Sequence, residues 1–200
     1  MLVIGLTGPS GAGKSSVAEL FAAHGLPVIN ADAVYHALLI PPSLCLDELV
    51  HHFGLEILLP NGMLDRKALG RIVFSDAEAL AALNAIAHHH VMAEIRRRLA
   101  ELRRADVPAA VIDAPQLFEA GAERDCNVIV SVLANRELRL QRIINRDGIS
   151  QEAAMKRMAA QKSDEFFRSH SDYIIENNES GDHLPLTVRK ILLEMGVLQA

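Results

Sequence analysis

Gly8, Gly13, Lys14 and Ser15 stand at the spacing G-x-x-x-x-G-K-[ST] inside "GLTGPSGAGKSS", residues 5–16. Each residue type has a task at that spacing. The backbone N–H groups of a glycine-rich turn surround phosphate oxygens, Lys14 reaches the outer phosphates, and the Ser15 hydroxyl is a ligand for Mg²⁺. A short apolar run precedes the turn and a helical pattern follows it, which is the context this motif requires. A nucleoside triphosphate is therefore expected at the loop, with Lys14 read as a solvated loop residue. The loop alone leaves open whether the terminal phosphate goes to water, to a protein or to a small molecule.

Two carboxylates and a group of arginines are candidates for the remaining chemistry. Asp113 closes the apolar run "AAVID"; at the carboxyl end of a parallel strand it faces the ligand crevice and reaches the magnesium shell through water. A cap or turn at the strand end accounts for it otherwise. Asp32 follows the run "PVIN". There it could orient an acceptor hydroxyl and take its proton, or cap a helix starting at Ala33, and the residues favour neither. Arg139, Arg142 and Arg146 share a helix face by their spacing. With Arg157 they read as a lid that closes cations over phosphates, the alternative being a solvated helix face. His51 and His52, and likewise His88, His89 and His90, are neighbours in sequence; on a helix they point about 100° apart and do not converge on one metal. Arg96, Arg97, Arg98, Arg103 and Arg104 read as a solvated face, with contact to a substrate phosphate left open.

These side chains need elements to hold them. Runs at 2–6, 27–30, 109–113, 127–134 and 173–176 read as five strands, alternating with helical stretches. That order implies right-handed crossovers and a doubly wound parallel α/β sheet. Nearly eighty residues separate the second and third runs, more than a crossover needs. Pro41 and Pro42 break the chain there, "PNG" at 60–62 is a turn, and helical patterns cover 66–74 and about 76–104. In the longer one Leu80, Leu83, Ala87, Val91, Ile95, Leu99 and Leu102 recur in steps of three and four. Residues 33–105 thus read as a helical insert. A second excursion, 136–165, has one arm to Arg146, a turn at "DGIS", and a second arm capped by Ser150 and running to about Gln161. A closing helix spans roughly 185–195, with Pro185 near its start and Gly196 after its end.

At 200 residues the chain is one domain with inserts, long enough to bury a full core. Its net charge of -5 argues against a broad nucleic-acid surface. Cys45 and Cys126 are solitary and far apart, so they suggest neither a disulfide framework nor a metal site; they read as buried small apolar side chains. No uncharged apolar run approaches the ~18 residues of a membrane span, and "MLVIGLTG" lacks the basic start of a signal peptide. A cytoplasmic enzyme that uses no nucleic acid and no membrane fits these features.

With the loop, "NADAVYH", "NGMLDR", "LNAIAH", "DAPQLFE" and "IIENN" in this order, the chain resembles the dephospho-CoA kinases along nearly its whole length. That family's forms are "DAD" with a histidine close behind, "DG-x-LDR", "LN-x-x-x-HP" and "D-x-P-LLFE". Further on it has an R-x-x-x-R lid with a later R-x-x-x-Q, here Arg142, Arg146, Arg157 and Gln161, and "D-x-x-I-x-N", here 172–177. The resemblance implies a P-loop NTPase fold like that of the nucleoside monophosphate kinases. It implies a reaction in which ATP, with Mg²⁺, phosphorylates the ribose 3′-hydroxyl of dephospho-CoA, the last step of coenzyme A synthesis. It implies Asp32 as the base, with Lys14 and Arg142 beside it in catalysis. Nucleotide binding then falls to Gly8, Gly11, Ala12, Gly13, Lys14, Ser15, Ser16, Arg146 and Asn177. Acceptor binding falls to the insert with Arg66 and His88, and to Thr7 and Asp113. Mg²⁺ falls to Ser15 and, through water, to Asp113.

Three positions depart from the family's forms. Asn30 replaces the first acid of "DAD", His89 the proline after His88, which puts a local turn in doubt, and Gln116 an apolar residue of "LLFE". Other readings are weaker. A small-molecule kinase for a nucleoside monophosphate or a sugar leaves the long insert and its "LDR" unexplained. A regulatory GTPase would carry N-K-x-D, which the chain lacks. A binding protein without activity would not need Lys14, Ser15, Asp32 and Asp113 together.

Overall fold

A computed structural model describes residues 1–179 and 183–199. The strands are β1 (Leu2–Thr7), β2 (Val28–Asn30), β3 (Ala109–Asp113), β4 (Val128–Leu133) and β5 (Tyr173–Glu176). The helices, in chain order, are α1 (Lys14–Ala23), α2 (Ala31–Leu38), α3 (Leu44–Phe53), α4 (Arg66–Val73) and α5 (Ala77–Arg104). Then follow α6 (Arg136–Asp147), α7 (Gln151–Ala159), α8 (Asp164–Ser169) and α9 (His183–Glu194). By its internal contacts the chain forms two units, Met1–Ile29 with Leu102–Ala200, and Asn30–Glu101.

The first unit is built on a five-stranded sheet in the order β2-β3-β1-β4-β5. β1 pairs in parallel with β3 and β4, and β4 with β5. The strands are apolar along their length because helices cover both faces, as in other doubly wound sheets. From β1 the chain turns to one side of the sheet and later continues on the other at β4. The carboxyl end of β1 is thus a topological switch point, where open α/β sheets bind their ligands. Ile4, Leu6, Val111, Val130, Val132 and Ile175 of the strands pack with Val17 and Phe21 of α1 and Val188 and Leu192 of α9. Asp172 and Asn177 bracket β5. The Asp172 carboxylate accepts from the Ile129 N–H at 2.8 Å, and the Asn177 N–H donates to the Leu133 carbonyl at 2.8 Å. Cys126 lies in this unit and donates to the Ala122 carbonyl at 3.3 Å. Burial, with Asp125 and Glu123 nearby, pushes its thiol up to about 12.

The second unit has its own core, in which Leu39, Cys45, Leu49, Phe53, Ile57, Leu69, Val73 and Ile86 pack together. The Cys45 thiol is pushed up to about 11, chiefly by burial, with Glu48 adding to it. Beyond Pro42 the sequence reading has only a break, yet the chain forms α3, whose N-terminus is capped by the Ser43 hydroxyl accepting from the Leu46 N–H at 3.3 Å. Asp65 caps α4 by accepting from Lys67 and Ala68 N–H at 2.9 and 3.0 Å. α5 runs unbroken through His88, His89 and His90. No local turn forms there, because His89 supplies the N–H that a proline would lack. Among the described residues no helix is long and apolar enough to cross a membrane.

Candidate active site at the phosphate loop

β1 ends at Thr7, and six residues separate it from α1, which begins at Lys14. Gly13, the residue before α1, takes the left-handed conformation (φ 95°, ψ 25°) and provides no side-chain cap; no acidic residue sits in the first turn. The first N–H groups of α1 and the positive end of its dipole therefore have no carboxylate or hydroxyl laid over them from this segment, which suits an anion. A Cβ at position 13 would also run into the side-chain nitrogen of Asn177. Conformation and space both require glycine here. Ser15 and Ser16 follow on α1 with exposed side chains.

Lys14 is not the solvated loop residue that the sequence suggested. It is the first residue of α1, its side chain is only 13% exposed, and its ammonium is ion-paired with the Asp113 carboxylate, itself 4% exposed. The pairing follows from the register, since Asp113 lies opposite Leu6 at the end of β3. Asp113 is thus buried at the strand end and ion-paired with Lys14. Thr7 is fully buried and its hydroxyl donates to the Pro115 carbonyl at 3.4 Å. It exposes no surface of its own. Gln116 of the segment after β3 lines a cleft of about 260 Å³ together with Gly8, Pro9, Glu119, Lys162 and Phe167.

The arginines of α6 meet the outer side of the loop. Arg142 donates to the carbonyls of Gly11 at 3.3 Å, Ala12 at 3.4 Å and Asn177 at 3.2 Å. The Asn177 amide donates to the Ala12 carbonyl at 2.8 Å. Arg146 reaches the Ser10 hydroxyl at 3.4 Å and is bidentate on Asp147, whose other partner is Arg157. Arg139 is 6% exposed and donates to the Ser10 carbonyl at 3.1 Å and to Asp164 at 3.0 Å. Burial lowers its pKa and Asp164 opposes that shift. These contacts correct the alternative of a solvated face for Arg139 and Arg142. They also correct the picture of all three as cations aimed at phosphates. Arg139 and Arg142 hold loop carbonyls here, and Arg146 the Ser10 hydroxyl. The spacing indicated a shared face; it could not indicate what that face meets.

In the second unit, Asp32 is exposed in the first turn of α2. The cap of that helix is Asn30, whose side-chain oxygen accepts from the Ala33 N–H at 2.8 Å. The helix begins at Ala31 because β2 runs directly into it, so the capping role suggested for Asp32 belongs to the residue before the helix. Asn and Asp are comparable caps, and the departure from "DAD" at position 30 leaves this function in place. Arg66 is exposed at the first position of α4 and His88 is half-buried on α5.

A model of the dephospho-CoA kinase family matches residues 2–182. The chain belongs to the dephospho-CoA kinase family. A dephospho-CoA kinase of Symbiobacterium thermophilum is 42% identical over 182 residues, 91% of this chain and 76% of that protein. Among solved structures, TT1252 from Thermus thermophilus superposes with a TM-score of 0.80 at 34% identity, covering 100% of this chain and 98% of its own. Dephospho-CoA kinase from Campylobacter jejuni does so with a TM-score of 0.73 at 30% identity, covering 98% of both. Kinases of this family use ATP as co-substrate. Spacing along the chain carries no signal for the contacts of Arg139 and Gln161 with Ser10, or of Arg139 with Gln161 and Asp164.

Proposed function

We propose that the chain transfers the γ-phosphoryl group of ATP to the ribose 3′-hydroxyl of dephospho-CoA, giving coenzyme A and ADP, as the last step of coenzyme A synthesis. Membership of the family across residues 2–182 carries the identity of the acceptor. The 3′-oxygen forms a bond to the γ-phosphorus as the bond to the β–γ bridging oxygen breaks, ADP leaves, and the hydroxyl proton passes to the Asp32 carboxylate. Lys14 and Arg142 offset charge on the transferring group. Gly8, Gly11, Ala12, Gly13, Ser15, Ser16, Arg146 and Asn177 hold the nucleotide. Residues 33–105 take the acceptor, with contacts from Arg66 and His88 and from the Thr7–Asp113 side, and residues 136–165 form the lid.

The Ser15 hydroxyl and the Asp113 carboxylate are hard oxygen donors of the kind that Mg²⁺ takes. Among the described residues no three His, Cys, Asp or Glu side chains come together as a metal cage, and a metal shared with substrate phosphates needs only one or two protein oxygens. Held by Ser15 and, through water, by Asp113, Mg²⁺ would supply positive charge against the phosphates. In this reading the enzyme works in the cytoplasm, with no nucleic acid or membrane taking part. The test is purified protein with ATP, Mg²⁺ and dephospho-CoA, analysed by mass. One added phosphate on the acceptor is the expected result. Transfer to a different alcohol, with none to dephospho-CoA, rejects the acceptor assignment.

A further inference from the structure

Ser10 stands in the middle of the phosphate loop, and both polar groups of its backbone are held from outside the loop. Its N–H donates to the Gln161 side-chain oxygen at 3.1 Å, and its carbonyl accepts from Arg139 Nε at 3.1 Å. The same guanidinium donates to Gln161 at 3.3 Å and to Asp164 at 3.0 Å. One buried cation thus ties together the loop, Gln161 two residues past the end of α7, and the first residue of α8. A planar trans peptide directs a carbonyl and the next N–H to opposite sides. Fixing the Ser10 carbonyl outward therefore fixes the Gly11 N–H toward the other face. The packing is close as well, since a Cβ on Gly11 would stand 2.6 Å from the Arg139 carbonyl oxygen.

We propose that Arg139 is a positioning residue for the nucleotide: through Ser10 and Gln161 it sets in advance the shape of the loop that takes the ATP phosphates. Neither the loop motif nor the R-x-x-x-R and R-x-x-x-Q lid pattern includes it. The inference rests on the reading of the loop as the ATP site and is independent of the acceptor's identity. Leaving the loop free to choose its shape makes nucleotide binding bear an ordering cost that the wild type has already met.

The test compares Arg139→Met, Arg139→Lys, Gln161→Leu and the double variant Arg139→Met/Asp164→Asn with wild type. The double variant removes the Asp164 charge along with its partner, and Gln161→Leu leaves no buried charge behind, so the comparison survives if Arg139→Met alone does not fold. ADP binding is measured by calorimetry, with KM for each substrate, kcat and thermal melting. Loss of charge-assisted bonds to the loop is expected to weaken ADP binding and raise KM for ATP by about 10- to 100-fold. KM for dephospho-CoA should stay within about twofold, and Arg139→Lys should recover part of the loss because an ammonium can still donate to the Ser10 carbonyl. Folded variants that melt earlier yet bind ADP like wild type overturn the proposal and make the cluster a stability element only. Equal losses for both substrates overturn it too. If the wild type binds ADP but never phosphorylates dephospho-CoA, the acceptor reading fails while the binding comparison still decides the role of Arg139.

Discussion

The two units hold their candidate side chains in different ways. Around the phosphate loop, the functional geometry is made by buried or half-buried side chains directed at backbone: Arg139 and Gln161 on Ser10, Arg142 on Gly11 and Ala12, and Asn177 on Ala12. In the helical unit, Asp32 and Arg66 are exposed residues in the first turns of α2 and α4, held only by helices that Asn30 and Asp65 cap. Chemistry and stability are therefore entangled in the first unit and separable in the second. A substitution at the loop alters the fold's own contacts, whereas one at Asp32 or Arg66 removes a side chain from a helix that remains capped.

Lys14→Ala should give the largest effect, lowering kcat by about 10⁴-fold because it removes a cation from the transferring phosphate. It also takes the ion-pair partner from buried Asp113, so it should cost about 3 kcal/mol of stability. Kinetics and thermal melting of the same sample check both parts, and an unchanged melting temperature would break the entanglement described for the loop. Asp32→Asn should lower kcat by roughly 10³-fold, since an amide cannot accept the hydroxyl proton. Its melting temperature and ADP affinity should match wild type, because Asn30 and not Asp32 caps α2. Near-normal turnover would leave the base elsewhere; lost nucleotide binding would assign Asp32 to the magnesium site.

Arg142→Ala should reduce kcat by about 30-fold and weaken ADP binding, with little change in KM for dephospho-CoA, because its present partners are all carbonyls on the nucleotide side. Arg66→Ala should do the reverse, raising KM for dephospho-CoA by about tenfold while ADP binding and melting stay unchanged. The smallest effect concerns pH. The Asp147 carboxyl is held down at about 2, chiefly by its hydrogen bond from Arg146, with Arg157 adding to it and desolvation opposing. The folded α6–α7 hairpin thus favours the ionised form. That contribution is complete above about pH 4 and fades as the pH falls toward 2. The difference in melting between wild type and Asp147→Asn should shrink over that interval.

Much of this was legible in the residues. All five strands, the long α5, the phosphate loop and the cap at Ser150 follow from local pattern, because burial on both faces, the 3.6-residue period and capping chemistry act over a few residues. α3 was hidden behind Pro41 and Pro42, although Ser43 and the apolar Leu46, Leu49, Val50 and Phe53 carry a cap and a helical period. Six-residue α8 is too short to show a period. The pairing of Lys14 with Asp113 spans 99 residues and that of Ser10 with Gln161 spans 151. Such contacts depend on strand register and on how helices return to the sheet, which spacing along the chain does not contain. For the same reason, Arg139 could be placed on the correct face of α6 but not against the loop.

The two cysteines bear on how such an enzyme coexists with its own chemistry. Dephospho-CoA and coenzyme A each end in a thiol, and in oxidised form each is a disulfide open to attack by a protein thiolate. Burial raises both the Cys45 and the Cys126 thiol above the ordinary cysteine value, which leaves less thiolate at neutral pH. Exchange proceeds through the thiolate. Both cysteines are therefore poor attackers of such a disulfide.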